Sequence, residues 1–489
     1  MPIFYSALLL TGVNLLLRLV STSFGVYISA RIGAAGVGLL QLALSIGSLA
    51  MTAGMAGVRT ATMYLTAGEL GKKRPGNIKW ILSACVRYSI LCSCAVSLLL
   101  IFFAPQLAQH WIGDARIVNA IRLFAFFLPV VCLCGVMSGY FTAANRIGTL
   151  AAVEIAEQMC TMVVTISALA FFAGDDPARA CQAVILGSGI GACFSLSCLV
   201  FLRLRQRAKS GPAIRVRRRL LQTAVPLALA DDLRSGISTA ENLMVPKRLA
   251  LCPAIVDPLA AFGTITGMVF PVLMFPAAIL FGLAELLIPE LARCNAAGSQ
   301  KRIRYLCGQC LRVALLYGCC FGGLMYLLAE PLCIALFDSA QAGILLRRFS
   351  LLIPMLYCDA ITDAMTKGLG EQRACVRYNI LTSCMDVALL FILLPRYGMD
   401  GYFFSLLITH LINFILSLRR LFKTAHFKLS LKDPLCSFAA VLGALLAASF
   451  VQAPLVSAGA FAGIFICLLF LMDIVSKEDL LWLKGLIRP

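Results

Sequence analysis

The chain has 489 residues, of which 61% are hydrophobic and only 13% are charged. Soluble domains are about 45–50% apolar and about 25% charged, so this composition excludes a cytosolic enzyme, a disordered protein and a secreted disulfide scaffold. A net charge of +19 would suggest nucleic acid in a soluble protein. Here the basic residues lie between apolar segments, where the positive-inside rule places them. The composition therefore predicts a polytopic membrane protein that binds no nucleic acid.

Fourteen apolar segments are long enough to cross a membrane, which takes about 20 residues for a core of about 30 Å. The predicted spans are 4–29, 37–66, 80–104, 118–141, 149–173, 180–202, 221–246, 258–289, 306–330, 344–366, 374–394, 400–418, 434–452 and 457–474. The last two lie on one uncharged run from Pro434 to Met472 with Pro454 and Gly459 near its middle, which predicts a helical hairpin. With the amino terminus in the cytosol, 27 Lys and Arg residues lie in cytosolic connections and 6 in outer loops. This bias predicts a protein of the cell membrane with both termini in the cytosol.

A sequence pattern recurs at one constant offset along the chain, first in predicted helix 4 and again in predicted helix 10. The matched residues are Arg122, Phe124 and Pro129 against Arg347, Phe349 and Pro354. Two halves in the same orientation predict a parallel repeat, and transporters of that kind bind substrate between their halves. We therefore expect two six-helix lobes related by pseudo-two-fold symmetry, at 1–205 and 221–425. A basic cytosolic linker at 206–220 joins them, and the terminal hairpin and cytosolic tail occupy 426–489.

Three arginines lie deep inside predicted spans, where charged side chains are costly and usually face a cavity or a partner. Arg18 and Arg234 lie about 21 Å into helices 1 and 7, and Arg59 lies about 12 Å from the cytosolic side, at 1.5 Å per residue. Guanidinium groups bind phosphate bidentately and lose water more readily than ammonium does. These arginines are therefore candidate ligands for an anionic headgroup. The alternative is an internal ion pair, which Arg234 would form with Asp231 or Asp232.

A second group of intramembrane charges is acidic. Asp359 and Asp363 lie four residues apart on one face of helix 10, Asp386 is in the middle of helix 11, and Glu241 is late in helix 7. Carboxylates at such positions bind a coupling cation or proton, or they neutralise neighbouring charges. Both interpretations stay open at this point.

Two other kinds of polar residue have simpler explanations. His410 and Asn413 share a face of helix 12, where a helix–helix hydrogen bond is the favoured interpretation. The 21 cysteines are scattered through apolar segments, where Cys behaves as a small buried hydrophobe. We expect neither a metal site nor a cofactor.

The region of helices 7 and 8 carries a distinctive pattern. It reads L-L-Q-T-A-V-P-L-A-L-A at 220–230, A-E-N-L-M-V-P-K-R-L at 240–249 and G-T-I-T-G-M-V-F-P-V-L-M-F-P-A-A-I-L-F-G-L-A-E-L-L-I-P-E-L-A at 263–292. N-L-L-L-R at 14–18 and A-R-I-G-A-A-G-V-G at 30–38 extend it. Together these stretches resemble the stage V sporulation protein B family, which stands alongside the MurJ lipid II flippases in the multidrug/oligosaccharidyl-lipid/polysaccharide (MOP) exporter superfamily. The resemblance covers nearly the whole chain.

The resemblance implies two lobes that open alternately to either side, and two extra helices that line a groove for a polyprenyl tail. It also implies that cavity arginines hold the pyrophosphate. Among the three candidate arginines, the resemblance assigns this role most directly to Arg18, which lies in the matching N-L-L-L-R stretch. The expected protein is a monomeric transporter and not an enzyme. It would flip a lipid-linked glycan in contact with membrane lipids. The drive would be a gradient of a coupling ion (proton or sodium), the membrane potential or consumption of the product, and these alternatives stay open. Glu241 stands where the family commonly has Asp.

Other functional classes remain to be weighed against a flippase. A drug or small-cation/proton antiporter of the same superfamily is the main alternative; fourteen spans and deep arginines favour the flippase. A membrane glycosyltransferase needs catalytic acids on a sizeable loop, and every loop predicted here is too short. A non-transporting scaffold stays open.

Overall fold

The computed structural model describes residues 2–71, 74–173, 176–205, 216–426, 432–451, 453–472 and 474. Within these residues every regular element is helical, which confirms the predicted all-α fold. Contacts within the chain group it into two compact units, Met1–Gly267 and Met268–Pro489. The helices of unit 1 are α1 (Pro2–Met55), α2 (Val58–Gly71), α3 (Ile78–Gln106), α4 (Val118–Ala143), α5 (Ile147–Ala168), α6 (Pro177–Leu204), α7 (Arg217–Leu249) and α8 (Pro258–Gly263). Those of unit 2 are α9 (Phe270–Met274), α10 (Ala277–Ala296), α11 (Gln300–Phe337), α12 (Ala340–Phe349), α13 (Ile353–Gly368), α14 (Gln372–Tyr397), α15 (Met399–Ala425), α16 (Lys432–Ala448) and α17 (Pro454–Leu471).

The lengths and hydropathies of these helices make the chain a multi-pass membrane protein. In the described ranges nine helices are long and apolar enough to cross a membrane, or ten if the bent pair Pro258–Met274 and Ala277–Asn295 forms one span. The fourteen predicted spans all overlap described helices. However, α7 is polar, and α13 and α16 have only 16 and 17 residues. The count of fourteen therefore stays a prediction.

The second predicted span is broken in its middle. Ala56 and Gly57 have φ values of 42° and 69°, and they separate α1 from α2. A Cβ atom on Gly57 would lie 2.4 Å from the carbonyl oxygen of Ala224 on α7. Glycine permits both the left-handed backbone and this close approach, so the break is where α7 packs against the first two helices.

The repeated sequence pattern has a structural counterpart in the helix ends, which match at the same offset that relates Arg122 to Arg347. The matched ends are Ala143 with Gly368, and Ile147 with Gln372. The turns between them are alike, since Asn145 and Gly370 both have a positive φ, of 56° and 86°. The same backbone hydrogen bond closes each turn, from Arg146 to Phe141 and from Glu371 to Thr366. The sequence repeat therefore extends to the backbone of these two turns, and the two six-helix lobes stay a prediction.

The terminal hairpin is confirmed as well. Helix α16 ends at Ala448, α17 begins at Pro454, and the Ser457 hydroxyl donates to the Ala448 carbonyl across the connection at 3.0 Å. The hairpin packs on α11, where a Cβ atom on Gly323 would lie 2.1 Å from the Phe461 ring. The small residue Gly323 thus allows the hairpin to approach α11 closely.

Helix α7, which we assigned to the second lobe, packs in unit 1. Val216, Leu220 and Ala224 belong to a buried apolar cluster with residues of α2, α3, α4 and α6. The buried Glu69 of α2 accepts a hydrogen bond from Asn77 at 2.8 Å and pairs with Arg219 of α7 at 3.4 Å. Most of the predicted linker, 206–215, lies outside the described residues, so the lobe boundaries stay a prediction.

Candidate functional site

A polar cavity of about 450 Å³ lies between α1 and α7 in unit 1. Its lining residues are Gln41, Leu44, Ser45, Ser48 and Thr52 of α1, and Asp231, Arg234, Ser235, Ser238, Thr239 and Asn242 of α7. All but one are polar, although they belong to the second and seventh predicted spans. Polar groups inside a membrane-spanning region mark a hydrated or ligand-binding site. We call this space the polar cavity.

Hydrogen bonds between the two helices hold one wall of the polar cavity in place. The Thr239 hydroxyl donates to the Ser45 carbonyl at 3.1 Å, and the Asn242 amide donates to the Ser45 hydroxyl at 3.0 Å. The Ser45 hydroxyl in turn donates to the Gln41 carbonyl, 2.8 Å away. These bonds orient α7 relative to α1, so the remaining lining groups are presented from a rigid frame.

Arg234 lies near the middle of α7 and is exposed to the polar cavity. Among the described residues its guanidinium makes no ion pair with Asp231 or Asp232, so the internal pair considered from the sequence is not formed. Asp231 is itself exposed on the cavity wall, whereas one Asp232 carboxylate oxygen is buried without a hydrogen-bond partner. The described lining thus presents one guanidinium and one carboxylate.

The other two candidate arginines are not placed in the polar cavity. Arg18 lies on α1, but its side chain is outside the described part, so its role stays a prediction. Arg59 is exposed at the start of α2 and does not line the polar cavity. Of the three arginines, the structure places Arg234 in a polar cavity.

Sequence reasoning missed the uncharged part of the lining. On α1 the polar residues recur at intervals of four, three and four, at Gln41, Ser45, Ser48 and Thr52. On α7 the same intervals join Asp231, Ser235, Ser238 and Asn242. Such spacing places side chains on one face of a helix. These two matching polar stripes could have predicted the lining of the polar cavity. Ser and Thr alone are weak evidence for a cavity, however, because their hydroxyls often bond to carbonyls of their own helix.

The acidic candidates of unit 2 are hydrogen-bonded to neighbouring helices. The buried Asp359 of α13 accepts a hydrogen bond from the Asn413 amide at 2.9 Å, and its other oxygen lies 3.1 Å from Nδ1 of His410. The predicted helix–helix hydrogen bond of His410 and Asn413 is thereby confirmed, with α13 as the partner helix. This arrangement satisfies both oxygens of a carboxylate that would otherwise be costly to bury.

Asp363 and Asp386 also have polar partners. Asp363 lies 3.5 Å from the Lys367 ammonium and accepts from the Asn379 amide at 3.2 Å. The buried Asp386 accepts from the Ser405 hydroxyl at 2.6 Å. These contacts fit a structural role, and a role in ion coupling stays a prediction for both.

Glu241 is half-buried on α7 in unit 1 and does not line the polar cavity. Its predicted role in ion coupling is likewise not tested by the structure. Within the described residues, no group of three His, Cys, Asp or Glu side chains lies close enough together to hold a metal ion.

Comparison with known proteins identifies a family model and a curated relative that this chain resembles. The MatE family model matches residues 11–170. Stage V sporulation protein B of Bacillus subtilis (strain 168) is 22% identical over 452 residues, which cover 89% of this chain and 86% of the relative.

Solved structures agree over nearly the whole chain. The lipid II flippase MurJ in an inward closed conformation has a TM-score of 0.70 at 12% identity, and the match covers 96% of this chain and 100% of MurJ. An inward-facing multidrug-resistance MATE transporter of the MOP superfamily has a TM-score of 0.68 at 12% identity, covering 85% and 99%. These two neighbours are named as a flippase and as a transporter. The chain has the fold of MOP-superfamily transporters, and its predicted resemblance to the stage V sporulation protein B and MurJ-like family is confirmed.

Proposed function

We propose that the protein flips a polyprenyl-pyrophosphate-linked oligosaccharide across the cell membrane by alternating access. The substrate would be a precursor of peptidoglycan or of another cell-envelope or spore polysaccharide. Two relatives support this proposal: stage V sporulation protein B, similar over most of its length, and MurJ, which is a lipid II flippase. A MATE multidrug transporter shares the fold, and this fits an antiporter without favouring it.

The observation that carries the proposal is the exposed guanidinium of Arg234 in the polar cavity. A pyrophosphate offers paired oxygens, which the planar fork of an arginine binds bidentately. The surrounding hydroxyl and amide groups of α1 and α7 supply donors and acceptors of the kind that sugar hydroxyls need. Asp231 offers a counter-charge to Arg234, which limits the charge of the empty cavity.

Several further roles belong to this proposal. Arg18 and Arg59 would contribute to binding the headgroup, and helices α16 and α17 would contact the polyprenyl tail. Both termini would lie in the cytosol, and the protein would act as a monomer. Transport would be driven by a proton or sodium gradient acting through Glu241, Asp359, Asp363 or Asp386, or by the membrane potential, worth about 2.3 kcal/mol per charge per 100 mV.

Arg234→Ala tests the proposal in proteoliposomes that contain a fluorescent polyprenyl-pyrophosphate glycan. We expect flipping to fall at least about tenfold, since charge-assisted hydrogen bonds to the headgroup are lost. Arg234→Lys should recover part of the rate because it keeps the charge without the fork. Arg87→Ala is the matched control: Arg87 is exposed on α3 and lies outside the polar cavity.

The stability of the variant shows whether a loss of flipping is specific. Since Arg234 has no partner among the described residues, Arg234→Ala should keep the melting temperature of the wild-type protein in detergent. If the variant flips glycan at the wild-type rate, the headgroup role of Arg234 is wrong.

The wild-type protein separates a flippase from an antiporter. If it exchanges an organic cation for protons or sodium and flips no lipid-linked glycan, the antiporter is the better assignment.

A further inference from the structure

A second charged cavity lies in unit 2, at the turn between α13 and α14 and next to α15. It has a volume of about 350 Å³ and is lined by Glu371, Arg373, Ala374, Arg377, Tyr378 and Arg420. Three guanidinium groups and a single carboxylate therefore surround one small space. We call it the basic cavity.

The carboxylate of the basic cavity is already engaged. Glu371 accepts a hydrogen bond from the Arg420 guanidinium at 2.7 Å. Arg373 and Arg377 are both exposed and form no ion pair among the described residues. They stand four residues apart on α14, a spacing at which like charges repel. The amino-terminal end of α14 adds the partial positive charge of the helix dipole. The basic cavity therefore carries an excess of positive charge that an anion would relieve.

The internal repeat shows that the turn does not need these arginines. The turn between α4 and α5 has the matching backbone hydrogen bond and also a positive φ at the matched position. In the repeat, the counterparts of Arg373 and Arg377 are Gly148 and Ala152. Since the same turn forms with a glycine and an alanine there, the two arginines are not required to build it.

The positive-inside rule explains the sign of these charges but not their convergence. Arg419 and Lys423 lie on the same end of α15 as Arg420, and both are exposed without lining the basic cavity. A requirement for topology alone would be met by basic residues that point in any direction. Arg373, Arg377 and Arg420 instead face one space of a size suited to a small anion.

We propose that the basic cavity binds a phosphate group, carried either by the headgroup of an anionic phospholipid or by a soluble phosphate. Guanidinium forks from two helices would grasp the phosphate oxygens bidentately, and the Tyr378 hydroxyl is a further donor. Basic pockets between helices on the cytoplasmic side of a membrane commonly bind such headgroups. This site is additional to the polar cavity, which lies in unit 1, and it does not depend on the proposed flipping activity.

Binding to the full-length purified protein tests this proposal in two arms. In the first, inorganic phosphate or pyrophosphate is titrated into detergent-solubilised protein and the melting temperature is recorded. In the second, native mass spectrometry compares the binding of phosphatidylglycerol with that of phosphatidylcholine. The test variant is Arg373→Gln/Arg377→Gln. Its matched control is Arg419→Gln/Lys423→Gln, which removes the same charge from the neighbouring helix outside the basic cavity.

We expect the test variant to bind phosphate about tenfold more weakly or worse in at least one arm, and the control to resemble wild type. A loss confined to phosphatidylglycerol identifies a lipid headgroup, and a loss with inorganic phosphate or pyrophosphate identifies a soluble ligand. Arg373→Lys/Arg377→Lys should bind with intermediate affinity. Equal binding by wild type and test variant in both arms overturns the proposal, as does an equal loss in the control.

Discussion

Asp359 connects helices α13 and α15 through a buried carboxylate, and the two interpretations of the intramembrane acids can be tested at this residue. Both of its oxygens have a polar neighbour, the Asn413 amide and the His410 ring. A hydrogen bond between membrane helices is worth about 0.6 kcal/mol on average and about 1.7 kcal/mol at most. The network is therefore large enough to matter for stability, while the same carboxylate is also chemically able to bind a cation.

We expect Asp359→Leu to lower the free energy of unfolding by about 1–2 kcal/mol, because it leaves His410 and Asn413 without a partner. Asp359→Asn keeps the shape and one acceptor, so it should lose less than half of that amount. Thermal unfolding in detergent measures both, and Ser405→Ala, which removes one hydroxyl bonded to Asp386, provides a scale for a single hydrogen bond.

Transport by the same variants separates structure from coupling. If the carboxylate is structural, Asp359→Asn should transport at nearly the wild-type rate. An Asp359→Asn variant that is as stable as wild type but fails to transport would contradict that explanation. It would show that the negative charge itself is needed, as ion coupling requires.

At the scale of the helix, the break between α1 and α2 is set by the contact of Gly57 with α7. Its φ of 69° belongs to the left-handed region, which costs other residues about 1–2 kcal/mol. The carbonyl oxygen of Ala224 occupies the space where a side chain would begin. The break lies just beyond the end of α1, close in sequence to Thr52 of the polar cavity.

We expect Gly57→Ala to destabilise the protein by more than about 1 kcal/mol, because backbone strain and the clash with Ala224 act together. Gly57→Val should be worse, since a β-branched side chain fits neither the conformation nor the space. Gly68→Ala is the matched control, because Gly68 lies on α2 with open space where a Cβ atom would stand. There alanine should be neutral or stabilising by up to about 1 kcal/mol.

Thermal unfolding of the three variants in detergent checks these expectations. Equal melting temperatures for Gly57→Ala and Gly68→Ala would contradict the description of the break. In that case the break would tolerate a side chain, and α7 would have to move away from it.

At the scale of the whole molecule, the features that followed from the sequence are those governed by periodicity and hydropathy. Runs of about 20 apolar residues predicted the helices, because backbone groups in a membrane must be satisfied within their own segment. The constant offset between the two copies of the Arg-Phe-Pro pattern predicted the repeat, and the structure reproduces it in the ends of α4 and α13. The turn around Pro454 predicted the hairpin because proline cannot continue a helix.

Features that depend on contacts between distant segments could not be obtained in this way. The depth of Arg234 followed from counting residues, but its exposure depends on how α7 packs against α1. The break at Gly57 depends on Ala224, far away in the chain. The partners of Asp359 were foreseen only as a polar face on helix 12, since spacing along one helix does not identify the helix opposite.

The orientation of the entire chain is predicted from the bias of 27 to 6 basic residues, which favours both termini in the cytosol. Single cysteines introduced at 210–214 should react with a membrane-impermeant maleimide only when the cytosolic side is accessible. Asp175→Cys should react from outside in intact cells. Both positions lie outside the described residues, so the labelling experiment determines on which side of the membrane they lie. The parent protein is the control, since Cys384 and Cys467 are exposed on helices within predicted spans and should face lipid.

Because each Lys or Arg is costly to translocate across the membrane, inverting the chain would carry most of its charge to the wrong side. Labelling of 210–214 from outside, together with protection of Asp175→Cys, would show that the orientation is reversed and that the basic cavity faces the exterior.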